Sequence, residues 1–137
     1  MKISILFSFL ILFIPALLPA QDNTFQLSSH ILDISKGLPA VDVNIKLEKM
    51  NETGHWIFVD ERKTDQNGRV KDFLEQKPDS VNAGIYQLTY QVKPYFEANQ
   101  LESFYPFIVV VFEIKDNNHY HVPITLSPFG YSTYRGN

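Results

Sequence analysis

The sequence predicts an all-β domain of seven or eight short strands with one short helix. Three observations predict it. Apolar and polar residues alternate with period two along several short runs. Clusters of Gly, Pro, Asn and Asp separate those runs. Only one segment, Tyr95 to Phe104, is rich in helix formers without β-branched residues. At 137 residues, with 45% hydrophobic and 20% charged, the chain is sized for one globular domain with a real core.

The elements follow in order. FQLSSHILD, Phe25 to Asp33, is the first strand, and KGLPA turns after it. VDVNIKLEK alternates strictly, with Val41, Val43, Ile45 and Leu47 on one face and Asp42, Asn44, Lys46 and Glu48 on the other, which predicts a half-buried strand. HWIFVDERK is the third strand. TDQNGR, Thr64 to Arg69, carries Asn67-Gly68, a tight-turn signal, and a short strand follows through Phe73. QKPDSVNAG is a polar loop. GIYQLTYQV puts Tyr86, Leu88, Tyr90 and Val92 on one face. The helix is expected over Tyr95 to Phe104, opening after Pro94. YPFIVVVFEIK is the most apolar run, which predicts burial on both faces or a place at an interface. HYHVPITL turns Tyr120, Val122, Ile124 and Leu126 inward and His119, His121, Pro123 and Thr125 outward. Pro123 has no N–H, so an edge position or a break in the ladder is expected there. SPFG is a turn, and YSTYRGN is a short last strand.

Composition excludes several classes. The net charge of −3 gives no basic footprint for nucleic acid. The absence of cysteine removes disulfides, thiol nucleophiles and thiolate metal sites. Neither a GxSxG elbow nor a phosphate-binding glycine loop occurs. MKISILFSFLILFIPALLPA has Lys2, an apolar run from Ile3 to Leu18, then Pro19 and Ala20, the form of a secretory signal peptide. The expected organisation is therefore a signal peptide over residues 1–20 and a single domain over 21–137, delivered to the periplasm or secreted.

The chemistry concentrates in histidines. His119 and His121 share one strand face, and two imidazoles at that spacing could hold a metal if His30 or His55 completed the set. The same spacing also fits catalysis, or an exposed strand face with no chemistry.

Separated motifs, taken together, resemble the 5-hydroxyisourate hydrolases, the enzyme branch of the transthyretin-related family. That family opens with L-[ST]-x-H-[VI]-L-D followed by G-x-P-A, matched over Leu27 to Asp33 and by Gly37, Pro39 and Ala40. Its T-x-x-x-G-R motif is matched at Thr64, Gly68 and Arg69. Its ending, H-[YF]-H-V-P-x-x-L-S-P-x-G-Y-S-T-Y-R-G-S, is matched nearly throughout His119 to Gly136.

The resemblance implies a transthyretin-like two-sheet β-sandwich and a homotetramer, a dimer of dimers with sites in a channel between dimers. It implies hydrolysis of 5-hydroxyisourate to 2-oxo-4-hydroxy-4-carboxy-5-ureidoimidazoline in urate degradation, with no metal or other cofactor. Carried over by position, His30, Arg69 and His121 match the catalytic trio, and Tyr134, Arg135, Gly136 and Asn137 match the substrate-closing terminus. An imidazole titrating near neutrality suits a general base, and a guanidinium suits a developing oxyanion. His119 is then a supporting or interface residue, and His55 is incidental. Asn137 stands where the family has serine, replacing a hydroxyl with an amide. The alternative is a periplasmic transthyretin-like small-ligand binding protein with little or no catalysis.

Overall fold

A computed structural model describes residues 24–137. The expected signal peptide over 1–20 lies outside the described residues. The elements are β1 (Phe25–Asp33), β2 (Leu38–Pro39), β3 (Asn44–Met50), β4 (Trp56–Lys63), β5 (Arg69–Glu75), β6 (Gly84–Tyr90), α1 (Val92–Ala98), β7 (Ile108–Ile114), β8 (Tyr120–Ser127) and β9 (Gly130–Thr133). One sheet runs β2-β1-β8-β9, with β5 also paired to β1; the other runs β4-β3-β6-β7. All pairings are antiparallel except β1 with β8, which run parallel. The all-β, two-sheet sandwich with one short helix is what the alternating runs predict.

The core lies between the sheets. Leu27 and Ile31 of β1, Phe73 of β5, and Val122, Ile124 and Leu126 of β8 meet Ile45 and Leu47 of β3 and Tyr86, Leu88 and Tyr90 of β6. Ser29 is fully buried in this core, but its hydroxyl donates to the Val122 carbonyl at 2.8 Å and lies 2.9 Å from the Tyr90 hydroxyl. That satisfied polar pair ties the two sheets together.

Several expectations need correction. The run VDVNIKLEK starts its ladder only at Asn44, because Asp42 has φ 62, a left-handed conformation that breaks the extended backbone. The helix spans Val92–Ala98 rather than Tyr95 to Phe104. Pro94 fits inside its first turn, where a missing N–H has no helical partner, and Gln100 at φ 58 stops the helix from continuing. The most apolar run is the edge strand β7, with Ile108, Val110 and Ile114 inside and Val109 and Val111 exposed. It is therefore not buried on both faces within one chain. The last strand covers only Gly130–Thr133.

Pro123 sits in the centre of a sheet, paired with His30 across the parallel ladder. The ladder nevertheless breaks there on the other side. The β8–β9 pairing stops at Ile124–Thr133, and the Thr133 hydroxyl donates to the Pro123 carbonyl at 2.9 Å. Pairing resumes only as a single bridge between His121 and Gly136. The imino acid thus creates the gap across which the chain end returns to His121.

Candidate active site

Register and pleat build the site. On β1, Leu27, Ser29 and Ile31 point into the core, so Ser28 and His30 point out. His30 lies opposite Arg69 of β5, and Ser28 lies opposite His121 of β8. The outer face of three neighbouring strands therefore carries Arg69, His30, Ser28 and His121 as one patch.

The turn before β5 positions Arg69. Asp65 Oδ1 accepts from the backbone N–H groups of Asn67 and Arg69 at 2.8 and 2.9 Å. Gly68 has φ 68, and a Cβ there would meet the Ile31 carbonyl at 2.6 Å. Only glycine allows this approach, which also lets Ile31 N–H donate to the Gly68 carbonyl at 2.9 Å. Thr64, the other end of the motif, is buried; its hydroxyl donates to the Ala40 carbonyl and accepts from Val43 N–H. Its role is to close the turn. No salt bridge engages the Arg69 guanidinium among the described residues.

Both outward histidines are biased towards the neutral form. Burial, then the positive Arg69, holds His30 below the ordinary imidazole value, against a hydrogen bond to the Asn67 backbone and the charge of Asp65. Burial lowers His121 as well, followed by Arg69, His30 and His119, opposed by a hydrogen bond to the Ser28 backbone. A neutral imidazole keeps a lone pair able to take a proton.

The terminus packs on this patch. Gly136 N–H donates to the His121 carbonyl at 2.9 Å, and a Cβ on Gly136 would lie 2.4 Å from His121 Cδ2. Glycine is required there for close approach to the imidazole. An open cavity of about 300 Å³ is lined by Ser28, Arg69, Lys71, His119, His121 and Asn137. Tyr134 and Arg135 do not share it. They line a neighbouring cavity of about 420 Å³ with Tyr120, Thr133 and the β7 edge, and His121 borders both. The Arg135 guanidinium stacks 4.9 Å from the centre of the Tyr120 ring. The structure thus brings together His30, Arg69, His121, Gly136 and Asn137, and sets Tyr134 and Arg135 on the other flank of His121.

His55 lies in the turn between β3 and β4, where Nδ1 is 2.9 Å from the Thr53 hydroxyl, apart from the patch. Among the described residues, no three His, Cys, Asp or Glu side chains form a group that could hold a metal ion. The motif reading covered Ser28 but gave it no role; its hydroxyl lies 2.8 Å from both His119 Nε2 and His121 Nδ1. Its signal was available: it stands two residues before His30, on the same strand face.

Comparison with known proteins agrees with this geometry. The HIUase/Transthyretin family model matches residues 27–136. A protein named probable 5-hydroxyisourate hydrolase from Caenorhabditis elegans is 48% identical over 115 residues, covering 82% of each chain. The solved 5-hydroxyisourate hydrolase of Klebsiella pneumoniae has a TM-score of 0.67 at 34% identity, covering 81% of this chain and 98% of that one. Sea bream transthyretin in complex with thyroxine has a TM-score of 0.74 at 28% identity, covering 81% and 94%.

Proposed function

The chain belongs to the HIUase/transthyretin family, and we infer that it is a hydrolase that opens the ring of 5-hydroxyisourate with water, a step of urate degradation. The fold alone would serve a small-ligand carrier equally well. The observation that favours the enzyme is the outward patch of His30, Arg69 and His121, with both imidazoles biased towards the neutral form beside a guanidinium that makes no salt bridge among the described residues.

In this reading His121 takes a proton from water as the water oxygen bonds to a ring carbonyl carbon. Arg69 donates hydrogen bonds to the oxyanion that forms. The carbon–nitrogen bond then breaks, and the proton returns to the departing nitrogen. His30 holds the substrate or the water beside Arg69. Gly136 and Asn137 close the His121 side, while Tyr134 and Arg135 present polar groups from the adjoining cavity.

The assembly we propose is a homotetramer, a dimer of dimers with the patch facing a channel. Its support is the apolar surface one chain leaves open: Phe104 and Phe129 are 70% and 72% exposed, and Val111 on the edge strand is 56% exposed. Sedimentation at micromolar concentration is expected to give four chains; a monomer overturns the channel. For the leader we propose cleavage after Ala20 and export. N-terminal sequencing of the exported protein is expected to begin at Gln21, and an intact Met1 overturns it.

Turnover tests the function. Freshly generated 5-hydroxyisourate is expected to decay faster with the protein than without it, and the excess is expected to vanish in His121→Ala. No excess decay overturns the enzyme and leaves the carrier.

A further inference from the structure

We propose that Ser28 and His119 form a hydrogen-bond relay that holds the catalytic tautomer of His121, leaving its Nε2 unprotonated for the water. Three distances and the valences of the groups carry it. His119 Nδ1 lies 3.1 Å from the Phe25 carbonyl oxygen. A carbonyl only accepts, so Nδ1 carries the hydrogen. In a neutral ring His119 Nε2 is then the acceptor, and its partner at 2.8 Å is the Ser28 hydroxyl. Ser28 has one hydrogen, and it goes to His119. The remaining contact, 2.8 Å from Ser28 Oγ to His121 Nδ1, needs a hydrogen from the imidazole. His121 therefore carries its proton on Nδ1, and Nε2 holds the lone pair.

The order of donors runs one way, from His121 through Ser28 and His119 to the backbone. A histidine base commonly uses a carboxylate to orient the ring; here a serine, a second imidazole and a main-chain carbonyl supply the same service without a buried charge. Ser28 is the only side-chain hydrogen-bond partner of His121 among the described residues. The register explains why the device fits. Ser28 is level with His121 across the parallel pair, and His119 reaches the same hydroxyl from two residues earlier on the outward face. When His121 becomes positive, its Nδ1–H bond to Ser28 strengthens, and the hydroxyl already points away to receive it. Ser28 and His119 are positioning residues: they act through His121.

The tautomer belongs to the resting protein; only its use on water rests on the hydrolase reading. Nitrogen-15 NMR of the histidine-labelled full chain near pH 8, where model imidazoles are neutral (about 6.5), reads it directly. His121 is expected to show a protonated Nδ1 and a bare Nε2. Ser28→Ala is expected to mix the two tautomers and to lower kcat by about 10- to 100-fold with KM nearly unchanged. Ser28→Thr keeps the hydroxyl and is expected to restore both readouts. His119→Phe removes the terminal acceptor and is expected to shift the tautomer in the same direction as Ser28→Ala. A wild-type His121 protonated on Nε2 overturns the relay, as does a Ser28→Ala protein with unchanged tautomer and kcat. Correct tautomers in a protein that leaves 5-hydroxyisourate untouched uphold the relay and overturn the hydrolase instead.

Discussion

The two faces of the β1–β8 pair use the same backbone for opposite purposes. Inward, Leu27 and Ile31 are 0% exposed and Ile124 is 1% exposed, packed against the other sheet. Outward, Ser28, His30 and His121 are half-buried and surrounded by polar groups. One residue of offset separates a side chain that holds the fold from one that faces the proposed site. The parallel register makes the outer face useful, because it sets Ser28 level with His121 and places β5 and Arg69 on the other side of β1. Substitutions on the two faces should therefore fail differently.

The sharpest contrast pairs His121→Ala with Ile31→Ala. Removing the outward imidazole is expected to cut kcat about 10²- to 10⁴-fold, the range of a positioned general base, while the melting temperature barely moves. Truncating the inward isoleucine is expected to cost about 2–5 kcal/mol of stability, transfer and cavity together, with near-normal activity per folded molecule. Calorimetry and turnover on both variants decide it. Lost turnover in a well-folded Ile31→Ala protein, or wild-type turnover in His121→Ala, breaks the division of labour.

Gly136→Ala tests where the faces meet the terminus. A methyl 2.4 Å from His121 Cδ2 cannot be accommodated in place, so the ring or the tail must shift. A displacement of that order is expected to cost about 10²-fold in kcat. Stability should fall little, since one backbone hydrogen bond to the His121 carbonyl is at stake. A kcat within twofold of wild type would separate the terminus from the site.

These contrasts mirror what was legible in the sequence. Strict alternation exposes which side of a strand is wet, so Phe25–Asp33 and the inward set Tyr120, Val122, Ile124 and Leu126 could be read directly. Motif matching then pointed to His30, Arg69 and His121, which the register brings onto one outer face. Period two says nothing about a residue that keeps its side yet leaves the ladder, as Asp42 does at φ 62. Helix formers around Tyr95 could not reveal that buried Val92 and Phe96 anchor the helix earlier. Ser28 escaped because its partners are about ninety positions away in the chain, and only the parallel register brings them level. The division of the terminus likewise depends on the gap at Pro123, which sends Tyr134 and Arg135 to one flank of His121 and Asn137 to the other.

The outward face should also respond to pH. Both His30 and His121 lie below the ordinary value of 6.5, with Arg69, Asp65, His119 and each other as the facing charged groups. Activity requiring the neutral rings is expected to stay level through neutral pH and to fall only below 6.5. Stability follows the same sign. The unfolded chain binds these protons more readily, so stability is full above 6.5 and is lost as pH falls through the lower folded values. A pH profile of kcat/KM falling already above pH 7 would contradict the burial of these rings.

Asn137→Ser is expected to give the smallest effect and to discriminate most finely. Asn137 lines the same cavity as Arg69 and His121, at the position where the resembling YRGS ending has serine. If a serine there were the nucleophile, this chain would start from background, and restoring the hydroxyl would raise turnover by orders of magnitude. If residue 137 only hydrogen-bonds water or substrate, the swap exchanges one polar contact for another. A hydrogen bond contributes about 0.5–1.5 kcal/mol net, which corresponds to a change of up to about tenfold. In the proposed mechanism the lone pair on His121 supplies the base for water, so no covalent step is needed and the smaller change is expected. Steady-state kinetics on the two proteins side by side measure it. A gain beyond about a hundredfold would transfer the central role from His121 to the chain end, and would make the outer sheet face a support for that residue.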